Sequence, residues 1–168
     1  MGLIGAVWGI VGLTLILGRG LGCIYPFARE LCGMEFGLVH WIALAVSLVF
    51  MGYAEGYKGF QLKFSPRVAA RALYLKNNPT AVRVILAPLF CMGYFHATKK
   101  RKIVSYSLTA FIVALIILVG RLGQPWRGII DAGVLLGLGW GLVSVWFYCF
   151  KAFFGKADYT ISPETPDA

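Results

Sequence analysis

The stretch VILAPLFCMGYFHAT (Val84–Thr98) decides how many times this chain can cross a membrane. It is apolar and uncharged, but its 15 residues fall short of the ~20 that a helix needs to cross a ~30 Å hydrocarbon core. Pro88 and Gly93 would also interrupt a helix there. If the stretch spans, the chain has five membrane helices; if it does not, it has four.

Four other runs have the required length. Met1–Gly18, Phe36–Ala54, Ile103–Gly120 and Ala132–Phe150 contain no Asp, Glu, Lys or Arg over 18 or 19 residues. Hydrophobic residues make up 59% of the 168, charged ones 14%, and mean hydropathy is +0.76. Soluble domains carry roughly 25% charged residues, so the composition is that of one membrane-embedded unit. Met1–Gly18 lacks a basic leader and a small-residue cleavage site, so it reads as a retained first helix and not as a signal peptide.

The basic residues choose between four and five. With five spans, the 16 Lys and Arg divide into eight on each side. With four, twelve lie on the side of the termini and four (Arg19, Arg29, Arg121, Arg127) on the other. The positive-inside rule selects four spans, with both termini cytoplasmic. The expected architecture is therefore an all-α bundle of four transmembrane helices (about 1–18, 36–55, 103–121 and 130–151) within a single domain, 1–156. An amphipathic helix (66–78) on anionic headgroups and a cytoplasmic re-entrant or interfacial segment (84–98) lie between the second and third helices. Residues 157–168 read as a disordered cytoplasmic tail, and the expected setting is a bacterial inner membrane.

The net charge of +9 would suggest nucleic acid in a soluble domain. Here orientation and headgroup contact account for it, including the KKRK run Lys99–Lys102, so no nucleic-acid partner is expected.

The chain carries an internal echo. LGRGLG (Leu17–Gly22) matches VGRLG (Val119–Gly123), Glu35-Phe36-Gly37 matches Asp131-Ala132-Gly133, and Ser65-Pro66 matches Ser162-Pro163. Two tandem hairpins in one orientation, an internal repeat of the kind seen in transporters, would produce this. Shared turn chemistry would also produce it.

Glycines spaced by four mark close helix contacts: Gly5 and Gly9, Gly52 and Gly56, and Gly133, Gly137 and Gly141. They serve either packing within the bundle or docking to another membrane subunit or a second copy. Ionisable residues at membrane depth are costly and tend to face the interior. Glu55 at the inner end of the second helix has Lys58 one turn on, and with Tyr57 and His96 could line a substrate or ion path. Arg19, Glu35, His40, Arg121, Trp126, Arg127 and Asp131 gather near the outer turns and suggest a polar cap, with Arg19 pairing Asp131 and Arg121 pairing Glu35. Cys23 and Cys32 share the outer loop and could form a disulfide in an oxidising compartment or remain packed thiols.

Catalytic motifs are missing. There is no P-loop, nucleophile elbow or dinucleotide fingerprint. His40 and His96 have no ligand-spaced partners, and di-iron carboxylate chemistry lacks the residues it needs. No cofactor or metal is expected. Two function classes lead: a non-catalytic accessory or assembly subunit that packs into a larger membrane complex through its glycine faces, and a small oligomeric transporter or channel with its path near Glu55. A membrane enzyme is the less favoured third.

Overall fold

The charge-free runs set four long helices, but backbone hydrogen bonding carries each helix past the charges that flank its run. The computed structural model describes residues 1–155 and 159–166. It is 82% helix with no strand among the described residues, and four of its helices are long and apolar enough to cross a membrane.

Helix α1 (Gly2–Glu30) continues twelve residues beyond the expected end at Gly18, through Arg19 and Pro26. A 3₁₀ turn (Leu31–Gly33) follows. Helix α2 (Leu38–Met51) runs without a break through a π-helical segment (Gly52–Phe64) into α3 (Ser65–Asn77). These 40 residues make one rod of about 60 Å, twice the hydrocarbon thickness. The amphipathic helix expected at 66–78 is thus the last part of this rod and not a separate element. Pro66 fits because a proline in the first turn removes no intrahelical bond when the register is re-formed there. Two short helices, α4 (Ala81–Ile85) and α5 (Ala87–Met92), precede α6 (Lys99–Gly120) and α7 (Trp126–Phe154).

Val84–Thr98 does not cross the bundle. Gly5, Gly9 and Gly12 of α1 lie directly against Val84, against Ala87 and Cys91, and against Pro88, respectively. The Trp8 indole donates to the Ile85 carbonyl (3.2 Å). The segment therefore runs ten or so residues along α1, about 15 Å, and turns back at Gly93, whose φ of 84° suits glycine. On the return, Tyr94 meets Thr109 and Tyr106 of α6.

The core sits at the end that holds both termini. Ala6, Ile10 and Leu13 of α1, Val68, Ala72 and Leu75 of α3, Ala87 and Phe90 of α5, and Val145 and Cys149 of α7 pack there as one cluster. At the other end the hairpin turns meet: Leu31 lies against Gly128, and the Ser47 hydroxyl donates to the Ile129 carbonyl (3.0 Å). Between them, Gly52 faces Leu136, Gly56 faces Trp140, Gly137 faces Glu55 and Gly141 faces Phe60. The paired positions rise together along both helices, so α7 runs parallel to the α2–α3 rod and antiparallel to α1.

The glycine faces expected to serve either the bundle or a partner are thus occupied by the chain's own helices. α6 is different. It barely touches α7, and apolar residues on all its sides, from Ile103 to Leu118, are half exposed.

The tail also departs from expectation. Tyr159–Pro166 is held against the bundle: the Tyr159 hydroxyl donates to the Pro66 carbonyl (2.8 Å), and the Thr98 amide donates to the Glu164 carbonyl (3.0 Å). Arg71 of α3 also donates to the Pro163 carbonyl (2.7 Å). Lys156, counted on the inner side above, and residues 157, 158, 167 and 168 of the expected tail lie outside the described residues.

Candidate functional site

The most constrained polar group is Arg71. In RVAARA (Arg67–Ala72), Ala69, Ala70 and Ala72 keep the surface of α3 low around it, which leaves room for a long side chain to lie flat against neighbours. Arg71 is 1% exposed, and no carboxylate bonds it among the described residues. Carbonyls satisfy it instead: Nε donates to Phe90 (2.6 Å), Nη1 to Pro163 (2.7 Å), and Nη2 to Phe95 and His96 (3.0 Å each). The planar guanidinium matches this set because its donors point outward in a fixed fork. One side chain thereby joins α3, the end of α5, the return segment and the C-terminal segment.

Around it lies a basic cluster. Arg67 Nη1 and Arg101 Nε approach the same oxygen, Glu164 Oε2, at 3.7 and 3.8 Å. These are ion pairs, too long to be hydrogen bonds. Arg83 bonds the His96 ring (2.6 Å), and that ring stacks on Phe90. His96 adopts φ 47° and Glu164 φ 51°, a region non-glycine residues enter at a cost of ~1–3 kcal/mol when their surroundings hold them. Here the bonds from Arg71 and Thr98 to the flanking carbonyls do so. The Cys91 thiol lies in the same core, and full burial pushes its pKa up to about 12.

The path residues suggested by sequence are not assembled. Glu55 is half-buried against Gly137. Lys58 does not pair with it but lies over the Tyr53 ring (4.8 Å). In a π-helical segment the extra residue per turn shifts the spacing on which an α-helical i,i+3 pair depends. Tyr57 stacks on Tyr53 beside a shallow apolar groove of about 390 Å³ between α2 and α7, lined also by Leu48, Val49 and Trp140. The His96 ring meets Arg83 and Phe90, and its carbonyl accepts from Arg71.

The polar cap forms with other partners. Arg127 pairs with Asp131 on its own helix (3.6 Å) and lies 3.4 Å over the Phe27 ring. His40 meets Trp126 edge to face. Arg19, Glu35 and Arg121 are exposed, and the cross-pairs Arg19–Asp131 and Arg121–Glu35 are not made among the described residues. The reason is the longer α1: Arg19 lies eleven residues before its end and never reaches the turn. Gln124, which sequence did not single out as a cap, does the joining. Its amide donates to Glu30 (2.8 Å) and to the Phe27 carbonyl (3.2 Å), and its oxygen accepts from the Gly128 amide (3.0 Å). Cys23 and Cys32 are unbonded and exposed; the helical extension of α1 through Cys23 replaces the loop that would have let them close.

Among the described residues no group of three His, Cys, Asp or Glu could hold a metal ion. No protein-family model matches the chain, and neither the curated proteins nor the solved structures hold a match to it.

Proposed function

We propose that this chain is a non-catalytic accessory subunit of a larger membrane complex. In this reading it sits in a bacterial inner membrane with its basic end and both termini in the cytoplasm, and it receives a helix of another membrane protein against the exposed face of α6. The observation that carries the reading is the isolation of α6. This 22-residue helix is the most apolar of the four candidate spans and has 6% of its apolar window buried. α2 likewise has no buried residue. If the two hairpins are repeats, the packing of α1 on α7 has a missing counterpart, α6 on α2, and a partner helix would supply that packing. The glycine faces are filled by the chain's own helices, which leaves α6 as the docking element.

Photo-crosslinkers at Phe111, Ile112 and Ile116, all about half exposed or more, test this in native membranes. The expected result is an adduct with a different membrane protein that survives mild detergent extraction. Lipid adducts alone, together with a lone monomer on extraction, would overturn it.

One observation favours a second reading, a small oligomeric transporter: the π-helical segment places the half-buried Glu55 near the midpoint of the 40-residue rod, and π-helical turns concentrate at functional sites. In liposomes, flux abolished by Glu55→Gln would support it. Flux unchanged by the substitution, or no flux at all, would remove it.

A further inference from the structure

Among the described residues, Arg67 and Arg101 share one carboxylate, Glu164. Arg71 is fully used by carbonyls. The Arg101 side chain is 9% exposed, and its Nε has no hydrogen-bond acceptor among the described residues. A buried charged donor left without an acceptor is costly, so this atom points to a ligand that the tail carboxylate only approximates.

Gly93 packs directly against Arg101: a Cβ there would stand 3.0 Å from its Nε and 3.3 Å from Ser105 Oγ, so the absent side chain leaves room for the guanidinium itself. Thr98 caps α6 and accepts from the Arg101 amide (3.4 Å), so the site opens at a helix N-terminus, where the field favours anions. Arg67 remains 23% exposed and the Glu164 side chain 38% exposed, so solutes can reach the point where the two guanidinium groups converge. Glu164 arrives there on a backbone in the left-handed region, bridging the two arginines through one oxygen at ion-pair distance only. A tetrahedral oxyanion carries more charge and more acceptor atoms, and it engages guanidinium groups through paired charge-assisted bonds.

We propose that Arg67 and Arg101 form a binding site for a phosphate-type oxyanion, carried on an anionic lipid headgroup or free in solution, and that Glu164 is its tethered occupant, displaced when the anion binds. The C-terminal segment then reports occupancy. Bound anion releases the Glu164 side chain, while the carbonyl of Pro163 on Arg71 and the hydroxyl of Tyr159 on Pro66 keep the segment attached.

The test uses the full chain in nanodiscs. In one arm, inorganic phosphate is titrated into discs of neutral phosphatidylcholine by calorimetry. In the other, retention of phosphatidylglycerol against phosphatidylcholine is measured by native mass spectrometry. Glu164→Gln, which keeps the backbone bond from Thr98, should tighten binding about tenfold, the worth of one charge-assisted contact. Adding Arg67→Gln, at a partly exposed position that does not require refolding of the core, should reverse the gain. Tightening in the phosphate arm identifies a soluble anion, and tightening in the lipid arm alone identifies a headgroup. If Glu164→Gln binds no tighter than the wild type in either arm, or if the gain survives Arg67→Gln, the proposal is wrong.

Discussion

The guanidinium of Arg71 lies 4.2 Å over the ring of Phe90 while its Nε donates to the carbonyl of that same residue at 2.6 Å. Side chain and backbone of one residue on α5 thus hold one residue on α3 from two directions. Cation–π attraction is stronger where water is excluded, and the carbonyl is satisfied without a second charge. Burying a cation with dipoles instead of a carboxylate avoids desolvating a second ion, at the cost of requiring four carbonyls from three chain segments.

Arg71→Met should therefore be among the most damaging single changes. It preserves apolar bulk but strands the carbonyls of Pro163, Phe95 and His96, each worth ~1–3 kcal/mol if left unsatisfied, and leaves the Phe90 carbonyl with the Gly93 amide alone. A loss on the order of 3 kcal/mol is expected after relaxation, read as a lower unfolding midpoint in detergent. Arg71→Lys should recover only part of it, because an ammonium cannot span the same fork. A midpoint for Arg71→Met within a degree of wild type would contradict the pinning role.

Two glycines on α7, Gly139 and Gly141, separate packing from propensity. A Cβ at Gly141 would collide with the Phe60 ring, whereas one at Gly139 meets nothing within 4 Å. Gly139→Ala should stabilise by ~0.5–1 kcal/mol through helix propensity. Gly141→Ala should destabilise by ~1–3 kcal/mol through overpacking. Gly137→Leu, driven into Glu55, should reduce expression of folded protein outright. Equal behaviour of the two alanine variants would mean that α7 and the π-helical segment do not pack as described.

Much of this fold is legible in the sequence, and the limit has a physical cause. Four long apolar helices follow from four uncharged runs, and the division of Val84–Thr98 into short helices fits its length, Pro88 and Gly93. Helix ends do not follow, because Arg19 and Glu55 stop an apolar run without stopping backbone hydrogen bonding. The arginine cluster was hidden for another reason. In an amphipathic pattern Arg71 reads as facing headgroups, and the partners that bury it stand 19 to 92 residues away in sequence. Its one local signal is the ring of alanines around it. Gln124 was equally hidden, since a neutral amide carries no charge pattern to follow.

The four cysteines divide by accessibility. Cys23 and Cys32 are exposed, while Cys91 and Cys149 are buried. Burial also raises the Cys91 thiol to about 12, which leaves almost no thiolate at neutral pH, and the thiolate is the nucleophile. A small maleimide in mild detergent should label two thiols promptly and all four only after denaturation. Mass spectrometry that found Cys91 labelled in the native protein would show that α5 leaves the core. Finding Cys23 and Cys32 joined would reinstate the disulfide.

Attachment of the C-terminal segment has its own titration. The Tyr159 hydroxyl donates to the Pro66 carbonyl (2.8 Å), and its pKa is raised above the ordinary phenol value, first by burial and then by the neighbouring Tyr148 and Cys149. A raised value in the folded state means that the protonated form is the one stabilised. The contribution is fully present below the unfolded phenol value of ~10 and is lost as pH rises through the higher folded value. One tyrosine should therefore ionise later than the rest in an absorbance titration, and Tyr159→Phe should remove that late step. The variant should also cost ~1 kcal/mol at neutral pH for the lost bond, and the cost should vanish in strong alkali, where the wild type loses the same bond. If the late step persists in Tyr159→Phe, the segment is not docked on α3 through this hydroxyl.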